Sequence, residues 1–118
     1  VSFRQSVINK WDLNRRNNEI VYVIDPSVPK LFWTTIKKAV TSWNFAFHQA
    51  GYKNDPVKCY SKGDVGFPLD YSAGDARYSA IFMTDPFFSV YGYGPSLTDF
   101  RSGEILVGHV LLGFSSFV

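Results

Sequence analysis

Few side chains in this sequence are equipped for chemistry. Histidine occurs twice, at His48 and His109, and cysteine once, at Cys59. A catalytic zinc usually takes three protein ligands plus a water, and the HExxH arrangement sets two of them one helical turn apart with a Glu as base. No such motif occurs. His48 follows the apolar Phe47 in a helical pattern, and His109 alternates with Ile105, Val107 and Leu111 in an apolar strand, so both read as structural. Cys59 lies in a short strand pattern without a neighbouring histidine, where a thiol is expected to be inert. The loop acids Asp55, Asp64, Asp70 and Asp75 lack the alternating spacing of an EF-hand and read as solvated turn residues. Gly92 and Gly94 are followed by Pro95 rather than by a helix start, which excludes a phosphate loop.

What remains is backbone chemistry. Tyr91-Gly92-Tyr93-Gly94-Pro95 has small residues and a proline in an extended context, which suits an edge strand onto which an extended peptide adds as a further strand. These five residues are the candidate substrate-binding set.

The elements that must position this edge follow from periodicity. Glu19 to Asp25 is a β-branched and aromatic run closed by Asp25-Pro26, the pattern of a central strand buried on both faces. Phe32, Ile36, Ala39, Val40, Trp43, Ala46, Phe47 and Ala50 recur at spacings of three and four. They predict one helix from Lys30 to Ala50, of about five turns, started near Pro29 and stopped by Gly51. Trp33, Trp43 and Phe47 read as its core-facing aromatics. Val57-Lys58-Cys59-Tyr60 reads as a short strand, Ser61 to Asp75 as a long surface loop, and Arg77 to Met83 as a strand stopped by Asp85-Pro86. Ser89 to Leu97 reads as the edge, Thr98 to Gly103 as a turn, and Glu104 to Leu112 as the strand completing a hairpin.

The 118 residues, 46% hydrophobic and 19% charged, suit a single domain and argue against disorder. One cysteine cannot form an intrachain disulfide and leaves the redox compartment unreadable. Twelve basic against ten acidic residues, scattered apart from Arg15-Arg16 and Lys37-Lys38, do not make a nucleic-acid footprint. No apolar run approaches the roughly 20 residues of a membrane span, and the opening residues lack a signal-peptide layout. Apolar residues run to Val118, which reads as a boundary within a longer domain rather than a frayed terminus.

The order of these elements and several local strings resemble the bacterial zinc-dependent metalloproteases of the metzincin type. The strings are Lys10-Trp11-Asp12-Leu13, Ile20 to Asp25, Val40 to Phe47 with Ala50-Gly51-Tyr52, and Asp75 to Ile81. The most specific is Tyr93-Gly94-Pro95-Ser96 followed by Asp99, Arg101 and Ser102-Gly103-Glu104-Ile105-Leu106. The resemblance implies an α+β fold with a mixed, mostly parallel five-stranded sheet, an antiparallel edge strand and one long backing helix.

By that resemblance Val90 to Thr98 is the edge that binds substrate backbone, Ile105 to Leu112 is the strand beside it, and the protein is secreted or in the cell envelope. Zinc belongs to an HExxH helix that this sequence does not contain, so neither a metal ligand nor a catalytic residue carries over, and the chain alone is expected to be inactive. Its expected partner is an extended peptide or protein substrate, with self-association through apolar surface that the zinc helix would cover. The competing expectation is a non-enzymatic binding module that uses the same edge.

Overall fold

Residues 7–84 and 92–113 are described by the computed structural model. Its chain order is β1 (Ile20–Ile24), α1 (Trp33–Thr41), α2 (Trp43–Gln49), β2 (Val57–Tyr60), β3 (Ser79–Thr84), β4 (Gly92–Tyr93), β5 (Ser96–Thr98), β6 (Ile105–Gly108) and β7 (Val110–Gly113). Strands β2-β1-β3-β7-β4 form one sheet in that order, and β5 pairs with β6 beside it. The first three pairings are parallel and β4 runs antiparallel to β7, so the fold is α+β with a mostly parallel sheet and one antiparallel edge strand.

β1 carries no charged residue and is walled on both faces. Val23 and Ile24, pointing to opposite sides, are both almost fully buried. On the Ile24 side the cover comes from α1, where Ile36 packs with Ile24, Val28, Cys59 and Ile81. On the Val23 side it comes from the irregular segment between β2 and β3, whose Gly66, Pro68 and Tyr78 stand beside Val21 and Val23. A crossover without a helix thus covers the second face, and that segment replaces the first part of the expected strand: Arg77 and Tyr78 belong to it, and β3 begins at Ser79.

The single helix expected from Lys30 to Ala50 is not continuous. A 3-10 turn occupies Lys30–Phe32, α1 follows, and the helix is interrupted at Ser42 before α2. Two neighbouring hydroxyls account for the break: Thr41 Oγ1 donates to the Lys37 carbonyl at 2.8 Å and Ser42 Oγ to the Ala39 carbonyl at 2.5 Å, drawing on carbonyls of the preceding turn. Trp43 is 65% exposed, so it is not the core residue that its spacing suggests; Asn44, the next position of the Ile36, Val40 stripe, is buried instead. The helix stops as expected. Gly51 adopts φ +102° and donates to the His48 carbonyl, Tyr52 donates to the Phe47 carbonyl, and the Tyr52 and Phe47 rings meet edge-on at 5.5 Å.

The last expected strand, Glu104 to Leu112, divides at His109 into β6 and β7. Proline chemistry explains the division. His109 N–H donates to the Pro95 carbonyl at 2.8 Å, but Pro95 has no N–H to return to His109. The register is nevertheless continuous: Gly92 faces Leu112, Tyr93 faces Leu111, Ser96 faces Gly108 and Leu97 faces Val107. β4–β5 and β6–β7 are therefore the two arms of one long hairpin, and a shift occurs only between Leu97 and Thr98.

Candidate peptide-binding edge

Of the five candidate edge residues, Gly92 and Tyr93 form β4, Gly94 and Pro95 link it to β5, and Tyr91 lies outside the described residues, as do Ser89 and Val90. Backbone alternation fixes which groups face outward. Because Pro95 pairs with His109 through a hydrogen bond, Tyr93 and Leu97 also turn their polar backbone groups inward, and Gly92, Gly94 and Ser96 turn theirs away from the hairpin. The missing N–H of Pro95 falls on the inward side. The outward row of donors and acceptors is thus unbroken from Gly92 to Ser96.

Sheet edges invite unwanted pairing, and proteins usually guard them with a charge, a bulge or a covering segment. The other edges here are guarded. On β2, the outward N–H of Val57 donates to Asn44 Oδ1 at 2.8 Å and its carbonyl accepts from Asn44 Nδ2 at 3.0 Å, so one side-chain amide acts as a surrogate strand, and Lys58 adds a charge. On β6, Lys10 lies parallel to Glu104: its N–H donates to Gly103 at 3.0 Å and its carbonyl accepts from Ile105 at 2.8 Å. Arg16, stacked on Trp11, reaches across to donate through Nη2 to the carbonyls of Ile105 and Leu106. Among the described residues no comparable guard covers Gly92 to Thr98, a stretch without a charged side chain. The nearest ions, Asp99 and Arg101, neutralise each other at 3.3 Å, and Arg101 holds the Asp99 carboxyl below its ordinary range.

Gly92 and Gly94 are not demanded by the fold. Neither has a left-handed φ, and a Cβ on either would meet only a backbone oxygen at 3.8 Å, an ordinary contact. Glycine inside a strand costs about 0.5–1 kcal/mol relative to Ala. Gly92→Ala and Gly94→Ala are accordingly expected to raise stability by about that amount each, read as a higher urea midpoint. A fall for either would show that the fold itself requires the glycine.

The helix-side face of the sheet opens beside the edge into an apolar groove of about 630 Å³. Its walls include Trp11 and Tyr22, Ile36 and Trp43 from the helices, and Val110 and Leu112 of β7. The glycines lie on this face, opposite Leu112 and Val110, so the groove ends in bare backbone.

The other candidates do not converge. His48 Nε2 lies 2.7 Å from Asp55 and 3.2 Å from the Asn54 carbonyl at the end of α2, while the His109 ring packs on Phe82 at 5.8 Å. Asp64 pairs with Lys37 at 2.7 Å, and Asp70 and Asp75 both pair with Arg77, each carboxyl held below its usual range by hydrogen bonds, led by Lys37 for Asp64, Tyr78 for Asp70 and Arg77 for Asp75. No group of three His, Cys, Asp or Glu is gathered among the described residues, so this donor set does not fit a zinc ion. No helix among them is long and apolar enough to cross a membrane.

No family model, curated protein or solved structure matches this chain.

Cys59 is buried, and burial pushes its thiol up to about 11, with Lys37 opposing weakly. The folded chain therefore holds this proton where the unfolded chain releases it, above the ordinary value of about 8.5. Stability from this group is complete below about pH 8.5 and is lost as pH rises toward 11. Cys59→Ser is expected to flatten the alkaline fall of the urea midpoint between those limits, and an unchanged fall would contradict the assignment.

Polar anchors missing from the expectations are Asn44, Arg16 and Asp25. Asp25 is buried at the end of β1, where it accepts from the Tyr71 hydroxyl at 2.5 Å and the Ser27 N–H at 2.9 Å; burial and this carboxylate push the Tyr71 hydroxyl above its ordinary range. Asn44 did leave a signal. It continues the Ile36, Val40 spacing of the buried helix stripe, and a polar residue there needs a partner.

Proposed function

We propose that this chain is the substrate-edge portion of a zinc-dependent endopeptidase of the metzincin type, secreted or in the cell envelope, and not catalytic by itself. The observation that carries this is the antiparallel edge Gly92 to Thr98, without a guard among the described residues, on an otherwise parallel sheet, while Asn44 caps β2 at Val57 and Lys10 lies along β6. Its outward N–H and C=O groups bind the backbone of an extended peptide as an added strand and hold it straight for cleavage elsewhere. The groove beside α1 and α2 supports the same reading, because it offers an apolar bed for a further helix of the kind that carries the zinc histidines.

In isolation that groove, with the exposed Trp43 along it, favours association of chains. Sedimentation is expected to show self-association that rises with concentration, and a chain monomeric throughout counts against the open groove.

The test of function is zinc content and peptide hydrolysis of the natural polypeptide containing this sequence, compared with residues 1–118 alone. Stoichiometric zinc and cleavage in the former, with neither in the latter, support the proposal. A metal-free, inactive natural polypeptide that still binds peptide at the edge replaces it with a non-enzymatic binding module.

A further inference from the structure

Resting on the peptide-edge reading, the geometry points to a substrate class: we infer that the edge selects extended segments with apolar side chains at two positions four residues apart. Side chains alternate across a strand, so Tyr93, Pro95 and Leu97 share one face and Gly92, Gly94 and Ser96 the other. The continuous register makes this hold across Pro95, although β4 and β5 belong to different sheets. Tyr93 is 62% exposed and Leu97 55% exposed, two large apolar side chains on one uncharged face.

A peptide bonded to the outward groups of Gly92, Gly94 and Ser96 places the residues opposite Tyr93 and Leu97 on that same face. In an antiparallel addition these are the non-hydrogen-bonded positions, where side chains approach most closely. The glycine face has no side chain beyond Ser96, so it discriminates little between residues placed there. Recognition is thus longer than the Tyr91–Pro95 core: Leu97 is its second specificity position, and Pro95, lying between the two, leaves the outward ladder whole.

The test uses residues 1–118 and two octapeptides of Thr and Ser, labelled with fluorescein at the N-terminus and amidated at the C-terminus. One carries Phe at two positions four apart; its isomer carries them three apart, which sends the rings to opposite faces. Fluorescence anisotropy is expected to give about fivefold tighter binding for the first, the size of one added cross-strand pair. Leu97→Ser should abolish the preference and Leu97→Met should keep it. Equal binding of the two isomers, with Gly94 and Ser96 amides protected from exchange by both, overturns the spacing rule and leaves the peptide-edge reading standing. A preference that survives Leu97→Ser also overturns it. Binding of neither peptide at millimolar concentration, with no protection at the edge, removes the peptide-edge reading and this inference together.

Discussion

Asn44→Ala is expected to lower stability by at least about 2–6 kcal/mol, because it leaves the buried N–H and carbonyl of Val57 both without a partner. Each lost partner costs about 1–3 kcal/mol in a place water cannot reach. The cavity left by the side chain adds to this rather than offsetting it. Urea unfolding reads the loss directly. Asn44→Asp separates geometry from hydrogen bonding: it keeps an acceptor for the Val57 N–H but sets a carboxylate against the Val57 carbonyl, so it should remain well below the parent at neutral pH. A second consequence is specific to the edge account. With its surrogate partner gone, β2 becomes a second open edge, and the variant is expected to aggregate at concentrations where the parent does not. A midpoint within about 0.5 kcal/mol of the parent would show that Asn44 does not close that edge.

Gly103→Ala is expected to cost about 2–5 kcal/mol. Gly103 sits at φ +78°, where an L side chain is disfavoured by about 1–2 kcal/mol, and its Cβ would overlap the Ile8 carbonyl oxygen, a backbone atom that cannot swing aside. Relieving that overlap adds about 1–3 kcal/mol or displaces the segment around Lys10 from β6. Amide exchange distinguishes this from general loosening: Lys10, whose N–H donates to the Gly103 carbonyl, and Ile105, whose N–H donates to the Lys10 carbonyl, should lose protection first, and Val57 should keep it until global unfolding. Uniform loss at all three positions would contradict a local role for Gly103.

Much of this architecture is legible in the sequence because local signals agree with the final packing. β1 and β2 fall where their β-branched and alternating patterns put them, and the Gly51 stop is met bond for bond. The edge position of Gly92 and Tyr93 is likewise foreseen, from glycine and proline chemistry alone. The differences come from interactions no periodicity encodes. Thr41 and Ser42 hydroxyls divide the helix by back-bonding, and the buried stripe runs on to Asn44, whose partner Val57 lies outside the helix, rather than to Trp43. The guards on β2 and β6 involve partners 13 or more positions away in sequence, such as Asn44 with Val57 and Arg16 with Ile105, so no short window contains both halves. The same holds for the site. The candidate residues can be picked out locally, but that among the described residues their edge has no guard, while Asn44 meets β2 and Lys10 meets β6, is a tertiary fact.

If Gly92 to Ser96 takes up an extended polypeptide through backbone groups, as proposed, the amides of that edge must record it. Amide hydrogen exchange of residues 1–118, with and without a saturating extended octapeptide, measures it most directly. Gly92, Gly94 and Ser96, whose outward groups have no partner among the described residues, are expected to become protected together on binding, while Val57 and Ile105, already bonded, change little. Protection appearing elsewhere, with those three amides still exchanging freely in the saturated complex, would contradict it.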